Sequence, residues 1–183
     1  MKSLWNEIAA DLRFGIENDG GNPLSRILGN RGFHALLCYR IGHRVSGTLF
    51  SPIGFILTRL CQILYGIDLD PKAKIAGGVI IYHGVGIVVG GGVTIEPSVI
   101  LFHGVTIGIK RSGHRDGYPH IESGVIIGTG AALLGPIRIG ANTYIGANTV
   151  VTQDIPASSV VRSTRPVVEP RDPTRQSVGL HTR

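Results

Sequence analysis

The sequence predicts a parallel β-helix built from six-residue repeats over residues 67–161. An α-helical region (1–66) precedes it and a polar tail (162–183) follows. Three observations carry this. Stepping by six from Leu69 gives Leu69, Ile75, Ile81, Ile87, Val93, Val99 and Val105, and the register resumes at Ile121 through Ile127, Leu133, Ile139, Ile145 and Val151. All thirteen are aliphatic, at a period matching neither a helix (about 3.6) nor a strand (about 2). Glycine is abundant at 27 residues while aromatics make up only 6%, which suits many tight turns around thin aliphatic layers. Before residue 67 the apolar spacing is instead that of amphipathic helices.

The helical elements come first. In "LWNEIAADL", Leu4, Ile8 and Leu12 share a face, and "FHALLCYRIGHRV" does the same with Phe33, Leu36, Leu37, Ile41 and Val45. "SPIGFILTRLCQILYGI" reads as a third helix starting near Pro52. In the repeat region each hexad supplies one short strand and one turn. Three hexads close a triangular coil whose aliphatic residues point inward, and stacked coils bury one continuous column. Between Val105 and Ile121 the spacing is not a multiple of six, and "KRSGHRDGYPH" is polar and free of aliphatics. The segment 109–120 is therefore expected to leave the coil as a loop, a common place for binding residues. The segment beginning "RSTRPVVEPRDP" has no beat and reads as a mobile tail.

Composition removes several classes of function. No apolar run reaches the length of a transmembrane helix, and "MKSLWNEIAADLRF" lacks the apolar core of a signal peptide. A cytoplasmic protein is expected. Cys38 and Cys61 show no metal-ligand spacing. The formal charge of +6 sits in the flanks. From Gly20 to Ile67 there is no carboxylate, while Arg26, Arg31, Arg40, Arg44 and Arg59 are present. No nucleic-acid motif accompanies them, so an anionic membrane surface, met peripherally, or an acidic substrate fits better than nucleic acid.

Polar residues stand out against so apolar a scaffold: Asp68 and Asp70 at its mouth, His83, His103, and His114, Tyr118 and His120 of the loop. Asp68 and His83 are fifteen residues apart, three short of an eighteen-residue coil, which puts them on neighbouring coils near one corner. A carboxylate there can bond one imidazole nitrogen and leave the other as a base.

The stretches "GFHALLCYRIGHR" (32–44), "IDLDPKAKI" (67–75), "HGVGIVVG" (83–90), "GVTIG" (104–108) and "GANTVV" (146–151) resemble the serine O-acetyltransferase family. The resemblance implies a left-handed β-helix, acetyl-CoA as co-substrate, and direct acetyl transfer to a hydroxyl without a metal. It places the catalytic base at His83 and its orienting carboxylate at Asp68. By position it implicates Gly108, Ile109, Thr129, Tyr144 and Ala147 in holding acetyl-CoA, with Lys110 and Arg111 near its phosphates. It also implies a homotrimer with sites between subunits, leaving open whether two trimers pair.

Four positions depart from the serine pattern. The aspartate before the base is Tyr82; the loop's Arg-His is Gly117-Tyr118; the helical "DP" has its nearest counterpart in Asn22-Pro23. Each lost charge-assisted contact costs about 1.5–3 kcal/mol, and tyrosine is a good platform for a sugar. "FHGVTIG" (102–108) and "PHIE" (119–122) further resemble exopolysaccharide O-acetyltransferases of the colanic-acid type, matching His103 and His120. A saccharide acceptor is therefore expected, contacted by Tyr82, Tyr118, His103 and His120, at the inner membrane face if lipid-carried. Serine is the alternative acceptor, and a non-catalytic scaffold the second alternative. The chain ends in Arg183 rather than the isoleucine with which serine enzymes engage cysteine synthase, so that partner is not expected.

Overall fold

The computed structural model describes residues 3–110 and 117–163. The expected tail (from residue 164), His114 and Arg111 lie outside the described residues.

Four helices open the chain: α1 (Leu4–Asp19), α2 (Pro23–Gly29), α3 (Arg31–Val45) and α4 (Ser51–Tyr65). The short α2 is an addition to the helices legible in sequence. Asn22 caps it by accepting from the Leu24 N–H, and Asn30 caps α3 by accepting from the Phe33 N–H.

The solenoid follows. Its first coil holds β1 (Ile67–Leu69), β2 (Lys74–Ile75) and β3 (Val79–Tyr82). The second holds β4 (Ile87–Val89), β5 (Thr94–Ile95) and β6 (Val99–Phe102), and the third β7 (Thr106–Gly108), β8 (His120–Ile121) and β9 (Ile126–Ile127). The fourth holds β10 (Ala132–Leu134), β11 (Arg138–Ile139) and β12 (Tyr144–Ile145). β13 (Val150–Val151) and β14 (Val160–Val161) begin a fifth. All pairings are parallel and sort into three faces, β1-β4-β7-β10-β13, β2-β5-β8-β11 and β3-β6-β9-β12-β14.

Each face sends two residues inward per coil, such as Val93 with Ile95 and Val125 with Ile127, all buried. The six-residue beat is thus real but changes position within the pair. Leu69, Ile75 and Ile81 are second members, and Ile87 to Val105 are first members. The slip marks two extra residues between Tyr82 and Val88 compared with Phe102 to Thr106, although both ends are paired. The loop leaves between β7 and β8 as expected.

The helical region covers the first coil through α3. Gly32 lets the helix touch β3, since a Cβ there would stand 2.2 Å from the Ile81 carbonyl oxygen. The Tyr39 hydroxyl donates to the Ala73 carbonyl (2.6 Å) and accepts from the Ile75 N–H (3.0 Å). Arg40, buried, forks onto Asp11 of α1 at 3.0 and 3.1 Å and also reaches the carbonyls of Ile75 and Ala76. Asp11 completes the joint by accepting from the N–H groups of Gly78 and Val79.

Candidate active site

The two extra residues of the first coil make the corner that carries His83. His83 has φ +62° and Gly84 φ +61°, in the left-handed region. Glycine suits position 84, where a Cβ would meet the buried Ile67 side chain, 2.4 Å from its Cδ1. The N–H groups of Gly84 and Val85 bond back to the carbonyls of Tyr82 and His83, both at 2.8 Å. A histidine held at positive φ costs about 1–2 kcal/mol, strain that collects at functional positions.

His83 is exposed on the single chain and lines an open cleft of about 460 Å³ with Asp19, Gly29, Asn30, Arg31, Gly32, Tyr82, Val85 and His103. The His83 and His103 rings meet edge to face, centroids 6.0 Å apart. Tyr82 tilts against Phe102 at 5.2 Å, and its hydroxyl donates to the Asp19 carboxylate, which also pairs with Arg26. Burial first, then the bond to Asp19, push the Tyr82 hydroxyl up to about 12, so it stays a donor at neutral pH. No motif or spacing in the sequence ties Asp19 or Arg31 to the site. Asp19 ends a helix far from the repeat, and Arg31 belongs to the carboxylate-free stretch without any spacing that ties it to His83.

Within the chain the other expected site residues lie elsewhere. Asp68 is on β1, half-buried, and its carboxylate accepts from the Gln62 amide at 3.0 Å. It lines a second cavity of about 340 Å³ with Asp70, Lys72, Thr58 and Arg59, and no hydrogen bond joins it to His83 among the described residues. Tyr118 covers the corner after β4, its ring lying where a Cβ of Gly92 would be (2.1 Å). His120, on β8, donates from Nε2 to Glu96 at 2.9 Å, with Ser123 on the other carboxylate oxygen. That bond from His120 is the main reason Glu96 is held below the usual carboxylate range. Among the described residues no group of three His, Cys, Asp or Glu side chains converges as a metal site.

The expected acetyl-CoA residues divide between two edges of the prism. Thr129 and Ala147 continue the edge of His83 and His103: the Gly130 N–H bonds the His103 carbonyl (2.9 Å) and the Asn148 N–H the Thr129 carbonyl (2.7 Å). Exposed Tyr144 sits on β12, just before that edge. Gly108, Ile109 and Lys110 lie at the opposite end of the β1-β4-β7 face, where the loop leaves, together with Tyr118.

A solenoid of aliphatic hexads is the architecture of hexapeptide-repeat transferases, and residues 118–153 match the family model described as "Bacterial transferase hexapeptide (six repeats)". The chain belongs to the serine acetyltransferase family: it is 40% identical over 128 residues to the Helicobacter pylori serine acetyltransferase, covering 70% of this chain and 75% of that one. It is also 35% identical over 162 residues to the serine acetyltransferase of Synechococcus elongatus, covering 86% of this chain. A crystal structure of Neisseria gonorrhoeae serine acetyltransferase in complex with serine superposes with TM-score 0.81 at 33% identity, covering 89% of this chain and 68% of that one. The chain spans 66% of the Synechococcus relative's length and 60% of that of the Buchnera aphidicola relative.

Proposed function

We propose that this chain transfers the acetyl group of acetyl-CoA to the hydroxyl of serine. One observation carries the reading: the cleft beside His83 and His103 is lined by opposite charges, Asp19 from α1 and Arg31 from α3. A free amino acid presents an ammonium and a carboxylate. Arg31 thus offers the cation missing at Gly117, and Asp19 offers the carboxylate missing at Tyr82 while also holding Arg26 and the Tyr82 hydroxyl. The serine acetyltransferases among its relatives support the same acceptor, and with them serine replaces the saccharide as the preferred reading.

In this mechanism the His83 imidazole takes the proton of the acceptor hydroxyl as the oxygen attacks the thioester carbon. The tetrahedral intermediate then expels the CoA thiolate, which recovers the proton from the imidazolium. No covalent enzyme intermediate is involved. Asp68 orients the base, and the acetyl-CoA residues act as a groove between subunits of a trimer. The division of those residues over two edges supports the trimer, because one cofactor meets both edges most directly when they come from different chains.

A saccharide acceptor is the second reading, favoured by the Tyr82 ring at the cleft, which packs against Phe102. The test follows thiol release from acetyl-CoA with serine, homoserine and nucleotide-linked sugars. Serine turnover is expected, and turnover of sugars alone gives the second reading. His83→Ala is expected to lower the rate by about 10²–10⁴-fold with little change in unfolding temperature. Full activity in that variant removes His83 as the base.

A further inference from the structure

The amphipathicity of α4 is inverted. Its buried residues are the small Gly54, Thr58 and Cys61, whereas its large apolar side chains face solvent. Exposure is 52% for Ile53, 58% for Phe55, 62% for Ile56, 48% for Leu60, 74% for Ile63 and 61% for Leu64. Small residues are needed inward because α4 lies tightly on α3, where a Cβ at Gly54 would stand 2.9 Å from the Gly42 Cα. The stripe is extended by the preceding turn, with Leu49 at 91% and Phe50 at 61% exposure. Contiguous apolar surface of this kind marks an interaction site.

The charge around the stripe selects the occupant. Arg59 sits on the same face, its guanidinium 5.2 Å from the Phe55 ring centroid, and Arg44 is exposed at the end of α3. No carboxylate occurs from Gly20 to Ile67. Asp68 and Asp70 line the cavity that Phe55 and Arg59 border, but both are half-buried and bonded, to Gln62 and the Lys72 N–H. A second copy meeting this face about a twofold axis would bring arginines toward arginines, and a threefold contact within the trimer is separated from lipid docking by the solution mass. Anionic lipid headgroups match the face. At 15 residues the helix is too short to span a bilayer, which takes about 20, but it is long enough to lie in the interface plane.

We propose that α4 and the turn before it dock on an anionic phospholipid bilayer, with the isoleucine, leucine and phenylalanine side chains at the acyl boundary and Arg59 and Arg44 among the headgroups. The proposal does not depend on the acceptor. The full chain is floated with phosphatidylcholine vesicles containing or lacking phosphatidylglycerol, and its solution mass is measured without lipid. Co-flotation with the anionic vesicles, weakened by salt, is expected. Ile56→Glu combined with Ile63→Glu is expected to reduce it by roughly tenfold or more without changing the solution mass or circular dichroism, whereas Ile56→Leu retains it. Failure of the wild-type chain to float with anionic vesicles overturns the proposal. So does a fall in oligomer mass in the double variant, because the face would then join copies of the chain.

Discussion

Arg40 shows how much one side chain can hold in this molecule. Only 2% exposed, it neutralises Asp11 and satisfies two carbonyls of the first coil. Removing one partner of a buried pair leaves the other charge uncompensated, at about 3–5 kcal/mol, so Arg40→Met is expected to cost that much in denaturant unfolding at pH 7. The sign of its pH dependence is also defined. Burial already raises the Asp11 carboxyl above its ordinary range against the lowering effect of Arg40, and without Arg40 only the backbone N–H bonds oppose burial. The folded variant then takes up a proton before the unfolded chain does, so its stability rises as pH falls through the folded-state value. Unfolding at pH 7 and pH 5 checks this, and a variant that loses stability over that interval refutes it. The same joint explains the resemblance noted in sequence. In "GFHALLCYRIGHR", Gly32, Tyr39 and Arg40 seat α3 on the first coil, so this run carries the joint that holds the helical region on the solenoid.

At the scale of elements, the coils were legible because every face repeats its aliphatic pair. That redundancy also hid the widened corner. When the chain gains two residues at His83, the six-residue beat passes from second to first members of the pairs without meeting a polar residue. The break at the loop was visible because no aliphatics fill it, whereas α2 was not, since seven residues give too little periodicity to read. The corner itself has a testable role. In the regular corner of the next coil the His103 carbonyl accepts from Gly130, while in the widened one Val85 provides the carbonyl for Gly104. Deleting Gly84 and Val85 would let the His83 carbonyl take that role and give a coil of ordinary length. The deletion variant is expected to fold with parallel-strand circular dichroism and an unfolding temperature within a few degrees of wild type, yet to lose acetyl transfer. An active deletion variant would show that the left-handed placement of His83 is not required.

At the scale of the whole molecule, the candidate site is divided. His83, His103, Thr129 and Ala147 follow one edge of the prism, the loop residues another, and Asp68 opens into its own cavity. Sequence spacing could bring Asp68 and His83 near one corner, but it could not say whether they meet within a chain or between chains, because a hexad pattern encodes only what points inward. Mixed assembly separates the two. Chains carrying His83→Ala and chains carrying Asp68→Asn are each expected to be inactive alone. If the dyad forms between subunits, random mixed trimers from refolding the two together regain wild-type pairs at about a quarter of their interfaces, with transfer activity in proportion. If the pair forms within one chain, no mixed trimer contains an intact dyad and the mixture stays as inactive as its components. Recovered activity would therefore locate the carboxylate across the interface and make the trimer part of the catalytic apparatus. Absence of recovery in trimers shown by mass to be mixed would require Asp68 to leave Gln62 and turn to His83 of its own chain.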